Sequence, residues 1–467
     1  MSDVSTAKRL SLPLALERAN AEIEAGNLDA AASLLASELA AESPHPHAVH
    51  LSGILAWRRG KLAEAAALME RSITLGPEIA LYPRNICEVY RALGRYDAAL
   101  ESARRTVAMA PHDPVARANL GVVHYDRGET IEALAAAEKA IALAPNMAMA
   151  HLGRAEALLL RGDFAPGLEE YEWRLRVPGG RREMPPEETP AWNGDPPHSG
   201  TLLLIADQGI GDVIQFSRYI PWAATRARKL VVASGPERRP IIAQFPEVAE
   251  IRPRWQDFSD FAAWCPLASL PRLAATRLES IPAPVPYLRA DPSRIERWDR
   301  RLAQLAPPGM RRIGLVWAGR PEHTNDRKRS LPLAALAPLA ALDGMGFLSL
   351  QKGEAATQLG GYFGRAPLIN LGPEIADFDD TMAILECLER TVTVDTAVAH
   401  LAGAMARPAM LLLPHAPDWR WLRDRNDSPW YPTLSLFRQP TPGEWGRAIA
   451  QVAAALAATS PPSAQSE

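Results

Sequence analysis

The hydrophobic and polar positions of this chain change period once, near residue 200. From about residue 10 to 177 the apolar residues recur at helical spacing in blocks of 34. Gly26, Gly60, Gly94, Gly128 and Gly162 stand 34 apart, Ala31, Ala65, Ala99 and Ala133 follow five places behind, and Pro77, Pro111 and Pro145 keep the same register. The pattern has a physical reading: glycine ends the first helix of a pair, the small residue lets the second helix approach closely, and proline closes it. The ends of the array are irregular, with Gly167 in the last small slot and Ser43, next to Pro44, where the first proline is expected. The segment "RVPGGRREMPPEETPAWNGDPPHSG" at 176 to 200 is too rich in Pro and Gly to continue a helix and reads as a linker.

From 201 onward short apolar runs alternate with helical stretches, which implies βαβ units and a parallel sheet. Strands are expected at 202–206, 230–234, 313–317, 346–350, 391–394 and 409–413. The proline-rich "IPAPVPYLRADP" at 281 to 292, with a short helical segment after it, splits the region. Two Rossmann-like halves joined there would form a ligand cleft at the carboxyl ends of strands from both sides.

The 34-residue array resembles the tetratricopeptide repeat (TPR), with about five helical hairpins over residues 10 to 177. Such arrays present a groove that binds peptides or protein partners, and a purely structural spacer or a dimer interface is the alternative. Asn85, Asn119 and Tyr125 are candidates for the inner face, against packing within a repeat or solvation of a helix surface.

Composition narrows the class. With 467 residues, two or three domains are expected. The net charge of −3, with Arg and Lys scattered among acids, gives no electrostatic footprint for nucleic acid. Cys87, Cys265 and Cys387 are odd in number, far apart and without CxxC spacing, so neither a disulfide framework nor a zinc site is expected. No stretch approaches the roughly 18 apolar residues of a membrane span, and the N-terminus lacks a signal-peptide core, so a cytoplasmic protein is expected.

Four stretches carry candidate chemistry. "ADQGIGDVIQF" at 206 to 216 follows a strand, and Gly209 and Gly211 permit positive φ and close backbone approach. A dinucleotide fingerprint needs a third glycine where Ile214 stands, so hydride transfer is disfavoured. Asp212 falls near the helix start, where capping of free amides is the plain reading and catalysis the sharper one. "VTVDTAVAHLAGAMARP" at 392 to 408 places Asp395, Thr396 and Ala397 at another strand-to-helix turn, whose free amides and the Thr396 hydroxyl suit a diphosphate. His400, one turn in, either faces the cleft or is a core histidine satisfied by a backbone carbonyl. "WAGRPEHTNDRKRSLPLAAL" at 317 to 336 holds His323, Asn325, Asp326, Arg327, Lys328 and Arg329 before a helix expected to begin near Ser330. A cation there would neutralise phosphate oxygens, and a solvated basic loop is the alternative. "DFDD" at 377 to 380 could hold a divalent cation but reads most simply as helix caps. "PHAPDWRWLRDRNDSPWYPTLSLFRQ" at 414 to 439 is expected to be a loop packed across the domain junction.

Taken together, "QGIGDVIQFSRY", "GLVWAGRPEHTNDRKRSLPL", "VTVDTAVAHLAGA" and "PDWRWLRDRNDSPWYP" resemble bacterial TPR proteins with a GT-B glycosyltransferase region. That region is similar to the lipopolysaccharide heptosyltransferases and, more distantly, to the TPR-bearing O-GlcNAc transferases; TPR flagellin glycosyltransferases share the organisation. The resemblance covers about residues 15 to 445. It implies an α plus α/β fold class: a TPR solenoid over 1–177, a linker over 178–200, an acceptor-side Rossmann-like domain over 201–305, a nucleotide-sugar-binding domain over 306–458, and a disordered tail over 459–467. It also implies a metal-independent transferase with no cofactor. In that reading Gly209 and Gly211 form the acceptor-side loop with Asp212 as general base, and Arg329, Ser330, Asn325, Gln351, Asp395, Thr396, Ala397 and His400 contact the donor, Lys328 competing with Arg329 for the phosphate. The implied reaction moves a sugar from a nucleotide donor to an acceptor, foremost a protein Ser or Thr hydroxyl selected by the TPR groove. Heptosyl-type transfer to a glycan or lipopolysaccharide and a non-catalytic TPR adaptor are the alternatives. The expected partners are a protein bound by the groove and the nucleotide sugar, with a homo-oligomer through the TPR array as a further role.

Overall fold

The computed structural model describes residues 11–181, 184–195, 198–255, 258–282, 284–306 and 308–458. The expected disordered tail at 459–467 lies outside the described residues, as do positions 182, 183, 196 and 197 of the linker. The chain forms two compact units, Met1–Gly153 and Arg154–Glu467.

The first unit is helical throughout its described part. Its hairpins pair Leu12–Ala25 with Leu28–Leu39, Pro46–Arg58 with Leu62–Leu75, Leu81–Ala92 with Tyr96–Met109, and Pro114–Asp126 with Thr130–Leu143. The repeat glycines do what their spacing predicts: Gly26, Gly60, Gly94, Gly128 and Gly162 have φ of 82°, 75°, 72°, 73° and 91°, a left-handed turn that other residues adopt only at a cost. Ala31, Ala65, Ala99 and Ala133 are buried between the paired helices. Close approach is enforced elsewhere too, since a Cβ on Gly53 would lie 2.7 Å from Met69 Cγ. Asn85, a groove candidate, spends its amide inside the array, 3.0 Å from His50 Nε2.

The second unit begins within the fifth hairpin, earlier than the expected boundary at 177. The reason lies in the helix Phe164–Tyr171. Phe164 is buried and stacks on Trp430 at 5.8 Å, and Tyr171 meets Trp419 edge-on at 5.8 Å, so this helix belongs to the aromatic core of the second unit. The linker is docked as well. Trp192 N–H donates to the Trp264 carbonyl at 2.8 Å and Trp264 N–H to that of Pro190 at 3.2 Å, and the first strand starts at His198, before the expected 202.

The second unit contains two parallel sheets. The first contains β1 (His198–Ile205), β2 (Ala227–Ala233), β3 (Glu250–Arg252) and β4 (Ala263–Pro266) in the order β3-β2-β1-β4. The second contains β5 (Arg311–Val316), β6 (Met345–Ser349), β7 (Leu368–Asn370), β8 (Arg390–Val394), β9 (Ala409–Leu413) and β10 (Leu434–Arg438) in the order β10-β9-β8-β5-β6-β7. All six strands expected from the sequence are present. The four that were not, β3, β4, β7 and β10, are edge strands or too short for periodicity to register. β10 corrects the reading of 414–439 as loop alone: Leu434 and Leu436 face inward while Ser435 points out, and the strand pairs with β9.

Chain order reverses at one place in each sheet, between β1 and β4 in the first and between β5 and β8 in the second. Loops leaving the carboxyl ends of strands at such switch points frame the natural ligand crevices of parallel sheets. Around the second sheet, Ile313, Leu315, Val392, Val394, Met410 and Leu412 pack with Ala448, Ile449, Val452 and Leu456 of the helix Gly446–Ala458. Each such fully buried aliphatic side chain stabilises the fold by about 1.5–3 kcal/mol.

The "DFDD" stretch is structural. Asp377 caps the helix Phe378–Glu386, accepting from Asp380 N–H. Asp380 accepts from Trp298 Nε1 at 3.1 Å, Arg294 Nη1 at 2.9 Å and Ala376 N–H at 3.0 Å, with Arg297 in contact. The donors Arg294, Arg297 and Trp298 tie the helix Pro292–Leu305, which joins the two sheets, to the second sheet's helical layer. Cys87 and Cys265 are buried free thiols and Cys387 is partly exposed. Among the described residues no helix is long and apolar enough to cross a membrane.

Candidate active site at the two switch points

Asp212 stands in the first turn of the helix Ile210–Ser217, which leaves β1 at the switch point of the first sheet. The Gly209 N–H bonds its carboxylate, so it does cap its helix; Arg420, from the turn after β9, pairs with its Oδ1. Burial and the nearby Asp418 push its pKa up, while Arg420 pulls it down, and the net direction is up.

Neither glycine of this loop uses positive φ, which corrects the sequence reading. Gly209 has φ −58° and Gly211 lies in the helix. Close approach is the reason for Gly211 alone: a Cβ there would lie 2.8 Å from His400 Cδ2 and 3.1 Å from its Nε2. His400 belongs to the helix Ala397–Ala404, which leaves β8 at the second sheet's switch point. The helices that leave the two switch points therefore meet directly.

Around that contact the second sheet supplies the rest. Asp395 Oδ1 lies 3.8 Å from His400 Nε2. Burial, then Asp418, pushes Asp395 up to about 6 against the opposing pull of Arg329 and Arg420. His400 is buried, its Nδ1 2.9 Å from the Tyr431 hydroxyl; burial and then Arg420 push it down to about 3, so it is neutral. It is thus neither open to a cleft nor satisfied by a backbone carbonyl, because a phenol takes that place. Thr396 is the N-cap residue of its helix, yet its hydroxyl does not cap; it lies 3.1 Å from Thr393 Oγ1, and Ala397 opens the helix.

The loop after β5 is organised by a short turn, Asp326–Arg329. Arg329 Nε lies 3.4 Å from Asp326 Oδ1, and its charge is felt by Asp395 and His400. Gly319 makes room for it, since a Cβ there would lie 2.6 Å from Arg329 Nη2. Asn325 is exposed just before the turn. The helix expected near Ser330 begins three residues on, as the turn Leu333–Leu336 running into Ala337–Ala340; Ser330 itself is extended at φ −85°, ψ 148°, and its hydroxyl accepts from Gly319 N–H at 2.8 Å and donates to Asp326 at 2.9 Å. Gln351 also departs from the expected donor role. Its Oε1 accepts from Trp317 and Ala318 N–H, and its Nε2 donates to the Ala318 and Lys352 carbonyls, all at 3.0 Å, so the whole amide is committed to holding the loop.

Asp418 and Arg420 were missed as individual residues. Asp418 caps the turn Trp419–Trp421, accepting from Arg420 N–H at 3.0 Å and Nη1 at 2.8 Å. The signal was available in "PDWRW", an arginine between two tryptophans after a capping acid, a setting that buries a cation. Just beyond it, Leu422 takes φ 53° and ψ −171°, a conformation rarely adopted outside glycine and usually held by a functional site.

The N-terminal part of the chain is a tetratricopeptide-repeat array, and the repeat's family profile matches residues 16–78, 88–148 and 130–172. The chain is also similar to a curated protein. Protein FlbA of Caulobacter vibrioides is 26% identical over 347 residues, covering 66% of this chain and 55% of FlbA, so the chain spans about half the length of that relative. Among solved structures, MamA from Desulfovibrio magneticus RS-1 is 19% identical and covers 35% of this chain and 93% of its own, at a TM-score of 0.32. PilF of Pseudomonas aeruginosa is 16% identical, covers 36% of this chain and 76% of its own, and gives a TM-score of 0.33.

Proposed function

We propose that the chain is a glycosyltransferase with a GT-B arrangement of its two sheets, moving a sugar from a nucleotide donor to an acceptor. One observation carries the reading: the helices leaving the switch points of two parallel sheets meet, so that Asp212 from one sheet stands beside Arg420 and the first turns of a helix from the other. In this reading Asp212 takes the proton of the acceptor hydroxyl as its oxygen bonds the anomeric carbon, a role worth about 10² to 10⁴ in rate. The bond from that carbon to the phosphate oxygen breaks, and the nucleoside diphosphate leaves with the electron pair. Arg329 and the amides following Thr396 offset the charge that grows on it. The repeat array offers a groove for a protein acceptor, the partner that suits a flexible Ser or Thr segment.

The test is direct. The full chain is incubated with UDP-, GDP-, ADP- and CMP-sugars and a cell lysate from a strain lacking it, and nucleotide release and intact protein mass are followed. A mass increment of one sugar is expected, abolished by Asp212→Asn with donor binding retained. Transfer at the wild-type rate by that variant would reduce Asp212 to a cap. An adaptor role for the array is the reading left if no nucleotide sugar binds.

A further inference from the structure

The candidate site contains a buried cation with no place in the reaction as so far described. Arg420 is 7% exposed, and its guanidinium spans two carboxylates, donating through Nη1 to Asp418 and through Nη2 to Asp212. It is clamped between aromatic rings, with Cζ 4.4 Å from the centre of Trp419 and 5.5 Å from that of Phe216. Trp419 in turn rests on the last repeat helix, meeting Phe164 edge-on at 6.2 Å and Tyr171 at 5.8 Å. The outer carboxylates are more open than the cation, with side chains 24% exposed for Asp212 and 34% for Asp418 against 8% for Arg420. A ligand entering the site would therefore reach Asp212 while Arg420 stayed behind it.

We propose that Arg420 is the positioning residue of Asp212 and that the last helix of the repeat array seats it through Trp419. The inference rests on the transferase reading and deepens it. Arg420 and the Gly209 N–H hold the Asp212 carboxylate from two sides, fixing its orientation and leaving lone pairs for an acceptor hydroxyl. The same contact favours the ionised form of a carboxylate that burial disfavours, whereas Asp418 acts in the opposite sense. Other titratable groups surround the Ile210–Ser217 helix: Tyr287 donates its hydroxyl to the Ile214 carbonyl at 2.9 Å and Arg218 its Nε–H to that of Gln215 at 3.0 Å. His400 and Asp395 come from the second sheet, His323 from the β5 loop and Tyr171 from the repeat helix. Arg238, from the turn beside the helix, donates to the Ala206 carbonyl at 2.6 Å. The helix Phe164–Tyr171, the last of the repeat pattern, thus supplies a wall of the proposed site from within the second unit.

The experiment compares Arg420→Lys, Asp418→Asn and Tyr171→Leu in the full chain, using whichever UDP-, GDP-, ADP- or CMP-sugar the wild type turns over. Arg420→Lys should lower kcat by roughly tenfold or more and move the acid limb of the pH profile up by about one unit, with donor Kd unchanged within twofold. Asp418→Asn should move that limb down. Tyr171→Leu should lower kcat severalfold at unchanged donor Kd, because the Trp419 platform loosens. Opposite shifts in the first two variants are outside what a purely structural role produces. The proposal is overturned if both limbs stay where they are, or if donor Kd rises as much as kcat falls, which would make Arg420 a donor ligand. Unchanged kcat in Tyr171→Leu removes the repeat helix from the account. A double-mutant cycle of Asp212→Asn with Arg420→Lys, read by thermal unfolding, separates the two levels of inference. Coupling in a chain that turns over no sugar sinks the transferase reading and leaves a structural pair; additivity in an active chain sinks the positioning role alone.

Discussion

The contact between Gly211 and His400 makes the meeting of the two switch-point helices testable without any substrate. In Gly211→Ala the new methyl would lie 2.8 Å from His400 Cδ2, short of the roughly 3.5–4.0 Å at which carbon atoms pack by about 1 Å. The imidazole cannot swing away freely. Its Nδ1 is held 2.9 Å from the Tyr431 hydroxyl, and its ring lies 5.1 Å from Trp421 and 5.6 Å from Tyr431. The helices must part instead, and overpacking of this kind costs about 1–3 kcal/mol. Alanine regains about 1 kcal/mol of helix propensity over glycine, so a net loss of up to about 2 kcal/mol is expected. Every tryptophan except Trp57 lies in the second unit, so urea unfolding followed by tryptophan fluorescence reports on it. In a His400→Ala background the clash disappears, and the same Gly211→Ala change should become neutral or stabilising by about 0.5 kcal/mol. An equal loss in both backgrounds would refute the contact.

Three further outcomes are expected from the packing. Asp380→Asn strips a buried carboxylate from Arg294, Arg297 and Trp298; because both arginines are partly exposed, about 2 kcal/mol of destabilisation is expected rather than the 3–5 of a fully buried pair, measured by thermal unfolding. A chain starting at residue 154 should stay folded and bind a nucleotide, whereas one starting at 178 loses Phe164 and Tyr171 from Trp419 and Trp430 and should aggregate or melt early by circular dichroism. His50 is buried and pushed down to about 3 from the ordinary 6.5, first by burial. The unfolded chain therefore takes up a proton that the folded chain refuses, and stability present above 6.5 is lost as pH falls toward 3. His50→Asn should flatten the stability–pH slope in that window by about 1.4 kcal/mol per pH unit, and an unchanged slope would contradict the burial.

How much of this was legible varies with the kind of signal. The repeat glycines were readable because each needs a left-handed backbone, and that need recurs in one register. Six strands were readable as apolar runs. The short edge strands β3, β4 and β7 were not, because three or four residues carry no periodicity, and β10 was hidden in a segment whose aromatic and arginine content suggested a loop. Near the switch points, local sequence put Asp212 in the helix start after β1, Asp395 in the turn after β8 and Arg329 in the loop after β5, but could not state what each faces. Asp212 is both cap and candidate base, since one donor comes from its own helix and the other from a residue 208 positions away. Gln351 looked like a ligand because it follows a strand; its four main-chain bonds become visible only when β5 and β6 lie side by side.

The charges at the site lead to one more expectation. Asp212, Asp395 and Asp418 face Arg329 and Arg420, with His400 neutral. Asp326 also pairs with Arg329, so the carboxylates outnumber the guanidiniums by two, and by one when Asp395 carries a proton. The folded site already keeps that proton up to about pH 6, chiefly through burial and then through Asp418. A nucleoside diphosphate adds further negative charge beside Asp395, so its binding should raise the proton affinity there and draw in up to about one proton near pH 6.5. Donor affinity should then weaken as pH rises above 6. Calorimetry in two buffers of different ionisation enthalpy, with UDP as the probe, measures the uptake directly. Asp395→Asn should abolish both the uptake and the pH dependence, and UDP binding by the wild-type chain with no proton exchanged would show that Asp395 does not face the phosphates.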